Sequence, residues 1–190
     1  MSSVRSRQVA PFNMKQANEI QGWFDYPETF KKLINSVPDG GTFVECGAWL
    51  GKSSTYLCDL ARDRINVYIV DTWKGSPDEL DSTHKLATQT DIFEIFKDNM
   101  GDRKYTAIRK DSIKASHEFE DESCDVVFID MTHKYEYVLS DIHAWAPKVK
   151  PGGWLAGHDA HHDDVKRAVR EGVDRPQDVF KLENCWLYRI

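Results

Sequence analysis

Residues 125–130 read Asp-Val-Val-Phe-Ile-Asp, an apolar run with nothing polar between its two acids. Such a strand has no face left for water, so it belongs in the middle of a sheet covered on both sides. That is the setting of a parallel strand in an α/β fold. Shorter runs of the same kind lie at 42–46, 66–70, 105–109 and 154–156. Helical patterns separate them. Residues 26–37 place Phe30, Leu33, Ile34 and Val37 on one face, and 52–62 carry Tyr56, Leu57 and Leu60. Residues 85–100 turn Leu86, Ile92, Phe93, Ile95 and Phe96 inward, and further helices are expected at 135–145 and 163–171. Pro38-Asp39-Gly40-Gly41 and Pro151-Gly152-Gly153 are turn clusters that deliver the chain into strands. Runs at 179–182 and 186–190, separated by Glu183-Asn184-Cys185, read as a hairpin. The expectation is an α/β fold: a doubly wound, mostly parallel seven-stranded sheet with a C-terminal antiparallel hairpin. Residues 1–25 read as an N-terminal arm or lid, residues 26–190 as one domain, and 74–84 as a loop insertion.

Composition narrows the partners. A chain of 190 residues that is 41% hydrophobic and 12% aromatic can bury a single core. Its net charge of −6 argues against nucleic acid and anionic membranes, which select a basic face. No apolar run reaches membrane-spanning length. Cys46, Cys58, Cys124 and Cys185 show no metal-type spacing, and read as buried free thiols of a reducing, cytoplasmic setting. A homodimer stays open, because tryptophans left on the surface would make a patch.

The first strand runs into Glu45-Cys46-Gly47-Ala48-Trp49-Leu50-Gly51-Lys52-Ser53-Ser54. Glycines allow close approach of the backbone there, and the first amides of the following helix lack partners within it. Twenty residues past Gly51, the second strand ends in Asp71, where an acid can hold a ribose through both hydroxyls. Together they point to an adenosine-type cofactor. The dinucleotide fingerprint does not fit, since Gly47 and Gly51 stand four apart and the Trp49 indole between them would crowd a pyrophosphate. Walker spacing is missing as well. Glu45 suits a ligand with a positive group, because its carboxylate can organise the loop beneath an ammonium. Trp73, after Thr72, could stack on adenine or belong to the core.

This acid-x-Gly-x-x-x-Gly pattern resembles the first motif of the class I S-adenosylmethionine-dependent methyltransferases. Asp111-Ser112 follows the third strand, Asp130 the fourth and His158-Asp159 the fifth. In that order the segments, spanning residues 43–172, resemble the small single-domain members of the class. They are also similar to metal-dependent O-methyltransferases acting on catechols or macrolide sugars. The resemblance implies S-adenosyl-L-methionine, held by Glu45, Gly47, Ala48, Trp49, Gly51, Ser53, Asp71, Thr72, Trp73, Asp111, Ser112 and Asp130. Three positions depart from the pattern. Trp49 stands where a central glycine is common, Met131 replaces the glycine of Ile-Asp-Gly, and His158-Asp159 replaces Asp-Asn or paired acids.

A hydroxyl attacks a methyl sulfonium poorly until its proton is drawn off, and a divalent cation can do that. Asp130, His158 and Asp159 are the expected ligands of Mg2+ or another divalent ion, although imidazole leans towards softer metals. His133, three residues after Asp130, is the candidate general base beside Asp130, or else contacts substrate or supports its loop. His161, His162, Asp163 and Asp164 read as solvated loop residues, with Asp163 an N-cap. The leading expectation is O-methylation of a small hydroxylated molecule, a sugar among the candidates. A metal-free small-molecule N-methyltransferase and a cofactor-binding module without catalysis are the alternatives.

Overall fold

The computed structural model describes residues 14–75 and 85–190; residues 1–13 of the expected arm and 76–84 of the expected loop insertion lie outside them. Seven strands form one sheet: β1 (Thr42–Cys46), β2 (Asn66–Asp71), β3 (Thr106–Arg109), β4 (Cys124–Ile129), β5 (Val149–Gly157), β6 (Phe180–Leu182) and β7 (Cys185–Arg189). Their order across the sheet is β3-β2-β1-β4-β5-β7-β6. The first five in that order are mutually parallel, and β7 is antiparallel to both β5 and β6. The expected fold class therefore holds, hairpin included.

Each strand inside this sheet sends alternate residues to opposite faces. Phe43, Val67, Ile69, Val126 and Phe128 enter one core with α1 (Pro27–Ser36), α2 (Lys52–Ala61) and α4 (Ile92–Met100). Val44, Cys46, Val127, Ile129 and Leu155 enter the other with α5 (Ser112–Ser116), α6 (Tyr135–Trp145) and α7 (Asp163–Gly172). All four cysteines are buried and free. Among the described residues no helix is long and apolar enough to cross a membrane.

Local chemistry moves some boundaries. The expected helix over 85–100 divides into α3 (Leu86–Gln89) and α4, because extended Thr90 ends the first and Asp91 caps the second by accepting from the Phe93 amide. Pro151-Gly152-Gly153 lies inside β5 rather than before it. The β4–β5 register shifts between Cys124 and Val126, and the Gly152 amide donates to the Ile190 carbonyl. α5, at five residues, is too short to show a periodicity. The strand order turns around at β1 and β4, and the crevice beyond their carboxyl ends is where open α/β sheets place ligands.

Candidate active site

Glu45 is fully buried on the β1 face that meets α2. Ser54 Oγ donates to its Oε2 at 2.6 Å, while Oε1 has no hydrogen-bond partner. Burial dominates over the nearby Ser53 and Ser54 hydroxyls and pushes its pKa up to about 8. Past it, Gly47 has φ +96°, and a Cβ there would lie 1.7 Å from the Asp130 carbonyl oxygen. The glycine thus lets the ends of β1 and β4 close on each other, rather than opening a path to a ligand. Gly51 at φ +90° makes the left-handed entry into α2 against Phe96 and Met100.

Asp71 locks the loop that follows. Its Oδ2 accepts from the Ala48 and Trp49 amides at 2.9 and 3.0 Å, and its Oδ1 from the Trp73 amide at 2.7 Å. Burial of the carboxyl raises its pKa in spite of these bonds. The carboxyl expected to hold a ribose is thus already drawn on by the backbone amides of Ala48, Trp49, Trp73 and Thr72. Trp73 belongs to the core: it is 1% exposed, packs on Phe93 and Phe96, and donates from Nε1 to the Trp49 carbonyl. An indole so enclosed is not open for stacking on adenine. Asp111 caps α5 by accepting from Lys114, and buried Ser112 accepts from Trp145 Nε1 at 2.8 Å. Ser53 is buried, and Thr72 Oγ1 accepts from the Lys74 amide.

Gly47, Trp49, Asp71, Thr72, Asp130 and Met131 remain half-buried along the carboxyl edge of β1, β2 and β4. That shelf, bounded by Asp71 and Asp130, fits a cationic adenosyl cofactor.

Next to the shelf is a narrow cleft of about 10 Å³ lined by Asp130, Met131, Thr132, His133, His158 and Asp159, with Val165 and Trp186 among its walls. Asp130 Oδ2 accepts from Tyr26 at 2.6 Å. His133 Nε2 lies 2.6 Å from Asp159 Oδ2. His158 is held between three carboxylates: Nε2 is 2.7 Å from Asp25, and Nδ1 is 3.1 Å from Asp159 and 3.5 Å from Asp130. Burial alone would lower its pKa, but Asp130 and Asp159 outweigh burial and raise it to about 10. In the same exchange Asp159 is held well below the usual carboxylate range, His133 and His158 overcoming its burial.

Of the expected ligand trio Asp130–His158–Asp159, the imidazole already lies against carboxylates at both ring nitrogens. Ligand atoms of Asp130, His133 and Asp159 instead lie within 4.8 Å of one another, and two hard oxygens with one imidazole suit a divalent ion. A second such group joins Asp159 to His161 and His162, residues expected to be merely solvated. His162 stacks on His133 with ring centroids 4.9 Å apart and also occupies the N-cap of α7, the place expected for Asp163. Asp25 and Asn184 were not legible as site residues, because only the fold brings them to His158.

The family model described as "Methyltransferase domain" matches residues 44–160, well over half of the chain. The chain belongs to this methyltransferase family. It is a class I S-adenosylmethionine-dependent methyltransferase. No curated protein matches its sequence. Solved structures share the methyltransferase fold. The calicheamicin methyltransferase CalS11 is 12% identical with a TM-score of 0.59, over 86% of this chain and 76% of that one. An rRNA methylase from Streptococcus thermophilus is 17% identical with a TM-score of 0.53, over 87% and 96%. A protein of Streptococcus mutans, solved with S-adenosylhomocysteine, is 14% identical with a TM-score of 0.54, over 88% and 100%.

Proposed function

We propose that this methyltransferase acts on a hydroxyl of a small molecule, with a sugar the leading case, and that a divalent cation held by Asp130, His133 and Asp159 assists. The observation that carries the reading is the meeting of those three ligand atoms beside the cofactor shelf. The description of CalS11 as a TDP-rhamnose 3'-O-methyltransferase is in keeping with it. S-adenosylmethionine supplies the methyl group when bound. A divalent cation there supplies the charge that lowers the pKa of an acceptor hydroxyl. The chain's own residues do the rest. Asp71 keeps the β1–α2 loop rigid beneath the cofactor, and Asp130 faces the acceptor side with one oxygen already steadied by Tyr26. Cationic His158 balances the negative charge of Asp130 and Asp159.

A metal-free reading has its own support in the 2.6 Å pairing of His133 Nε2 with Asp159 Oδ2. In it, the carboxylate orients the ring and His133 Nδ1 takes the acceptor's proton. Chelation separates the two. With labelled cofactor and a panel of hydroxylated small molecules, thorough metal removal should abolish transfer, and Mn2+ or Mg2+ should restore it. Unchanged turnover in the stripped enzyme would remove the metal and leave the His133–Asp159 pair.

A further inference from the structure

Val165 and Trp186 wall two cavities at once. One is the cleft at Asp130 and Asp159; the other, of about 440 Å³, lies between α7, the turn Pro176–Asp178 and strands β6 and β7. The second has a mainly apolar lining that includes Val165, Val169, Val179 and Trp186, and its size suits a small-molecule body. Three cations also line it: Lys166, Arg170 and Lys181. Lys166 is paired with Asp163 at 2.7 Å. Lys181 donates to the Ala160 carbonyl at 3.0 Å, and neither it nor Arg170 pairs with a carboxylate among the described residues. Arg170 and Lys181 are exposed, so both can reach a ligand seated in the apolar hollow. That combination selects an apolar body carrying an oxyanion, with the guanidinium of Arg170 suited to grip it through two oxygens.

We infer that this hollow holds the body of the methyl acceptor, and that the acceptor carries a phosphate or carboxylate bound by Arg170 and Lys181, away from the hydroxyl that is methylated. The inference rests on the methyl-transfer reading above and names the acceptor's class. The anchor and the reaction centre then adjoin at Val165 and Trp186, which line both cavities.

Two measurements test it. The first uses a matched pair of dyes: 8-anilinonaphthalene-1-sulfonate and its uncharged parent, N-phenyl-1-naphthylamine. The protein should bind the sulfonate the more tightly. Arg170→Ala and Lys181→Ala should each weaken it about tenfold, with little change for the neutral dye and an unchanged thermal shift with S-adenosylhomocysteine. Val165→Trp should block both dyes. Equal binding of the two dyes, or sulfonate binding indifferent to both alanine variants, would overturn the anion site. The second incubates the enzyme and labelled S-adenosylmethionine with a small-molecule cell extract, then passes the products over an anion exchanger. Label should be retained on the resin, as a phosphate ester if phosphatase releases it and as a carboxylate if it does not. The double variant Arg170→Ala/Lys181→Ala should lower the retained label about tenfold. Label emerging as a neutral product, or undiminished in the variant, overturns the inference. No label in any fraction overturns the small-molecule acceptor reading on which the inference rests, whatever the dyes report about the hollow.

Discussion

Replacing Glu45 by glutamine should change how stability responds to pH. The carboxyl is fully buried, has one oxygen unpartnered, and titrates near 8 in the fold against 4.5 when unfolded. The fold therefore holds a proton that the unfolded chain has given up over that interval. A raised acid contributes stability that is complete below its unfolded pKa and is lost as pH rises through its folded value. Between pH 4.5 and 8 the loss attributable to Glu45 reaches about 5 kcal/mol as an upper bound, at 1.36 kcal/mol for each pH unit. That is a large part of the roughly 5–15 kcal/mol that holds a domain together. A glutamine side chain at this position would keep an oxygen for Ser54 and stay neutral throughout. Asp141, pushed up to about 7 by its burial, adds a slope of the same sign to both proteins and cancels in the comparison. Urea unfolding at pH 5, 6, 7 and 8 is the assay. Wild type and Glu45→Gln should have similar stability at pH 5, with the variant gaining by several kcal/mol towards pH 8. Parallel curves would show that Glu45 is ionised in the fold and refute the reasoning.

Gly47→Ala combines a left-handed backbone with a 1.7 Å clash on the Asp130 carbonyl, so it should lower stability by roughly 3 kcal/mol or more in the same unfolding assay. Asp71→Ala strands three loop amides; it should abolish the thermal shift given by S-adenosylhomocysteine and lower the melting temperature even without ligand. Asp130→Asn should keep that shift while transfer falls by roughly a hundredfold. Nitrogen-15 spectra of His158 should show an imidazolium at pH 8, since the ring is raised to about 10; a neutral tautomer there would break the proposed charge balance.

The central sheet was legible because its strands are buried on both faces and announce themselves as apolar runs: the 42–46 expectation coincides with β1 and 135–145 with α6. The helix expected over 85–100 kept its apolar spacing through Thr90-Asp91, and periodicity does not register a cap that interrupts a regular pattern. Glycine next to proline at 151–153 signals a turn in isolation, but here the β4 bulge and the Ile190 carbonyl draw it into β5. Within the site, the acids at strand ends were readable from position alone. Their division of labour was not. How His158 is engaged depends on Asp25, 133 residues away in the chain, and on the neighbouring Asp130 and Asp159.

Tyr26 and Asp25 adjoin in the chain, yet one donates to Asp130 and the other pairs with His158. A single dipeptide ahead of α1 thus holds both Asp130 and His158 in the candidate site. Trimming or re-engineering the amino-terminal end up to that point would shed a counterion and a phenol together. It would leave Asp130 without its phenol donor and His158 Nε2 without its carboxylate. An engineer seeking a shorter version of this enzyme should therefore begin the chain well upstream of residue 25.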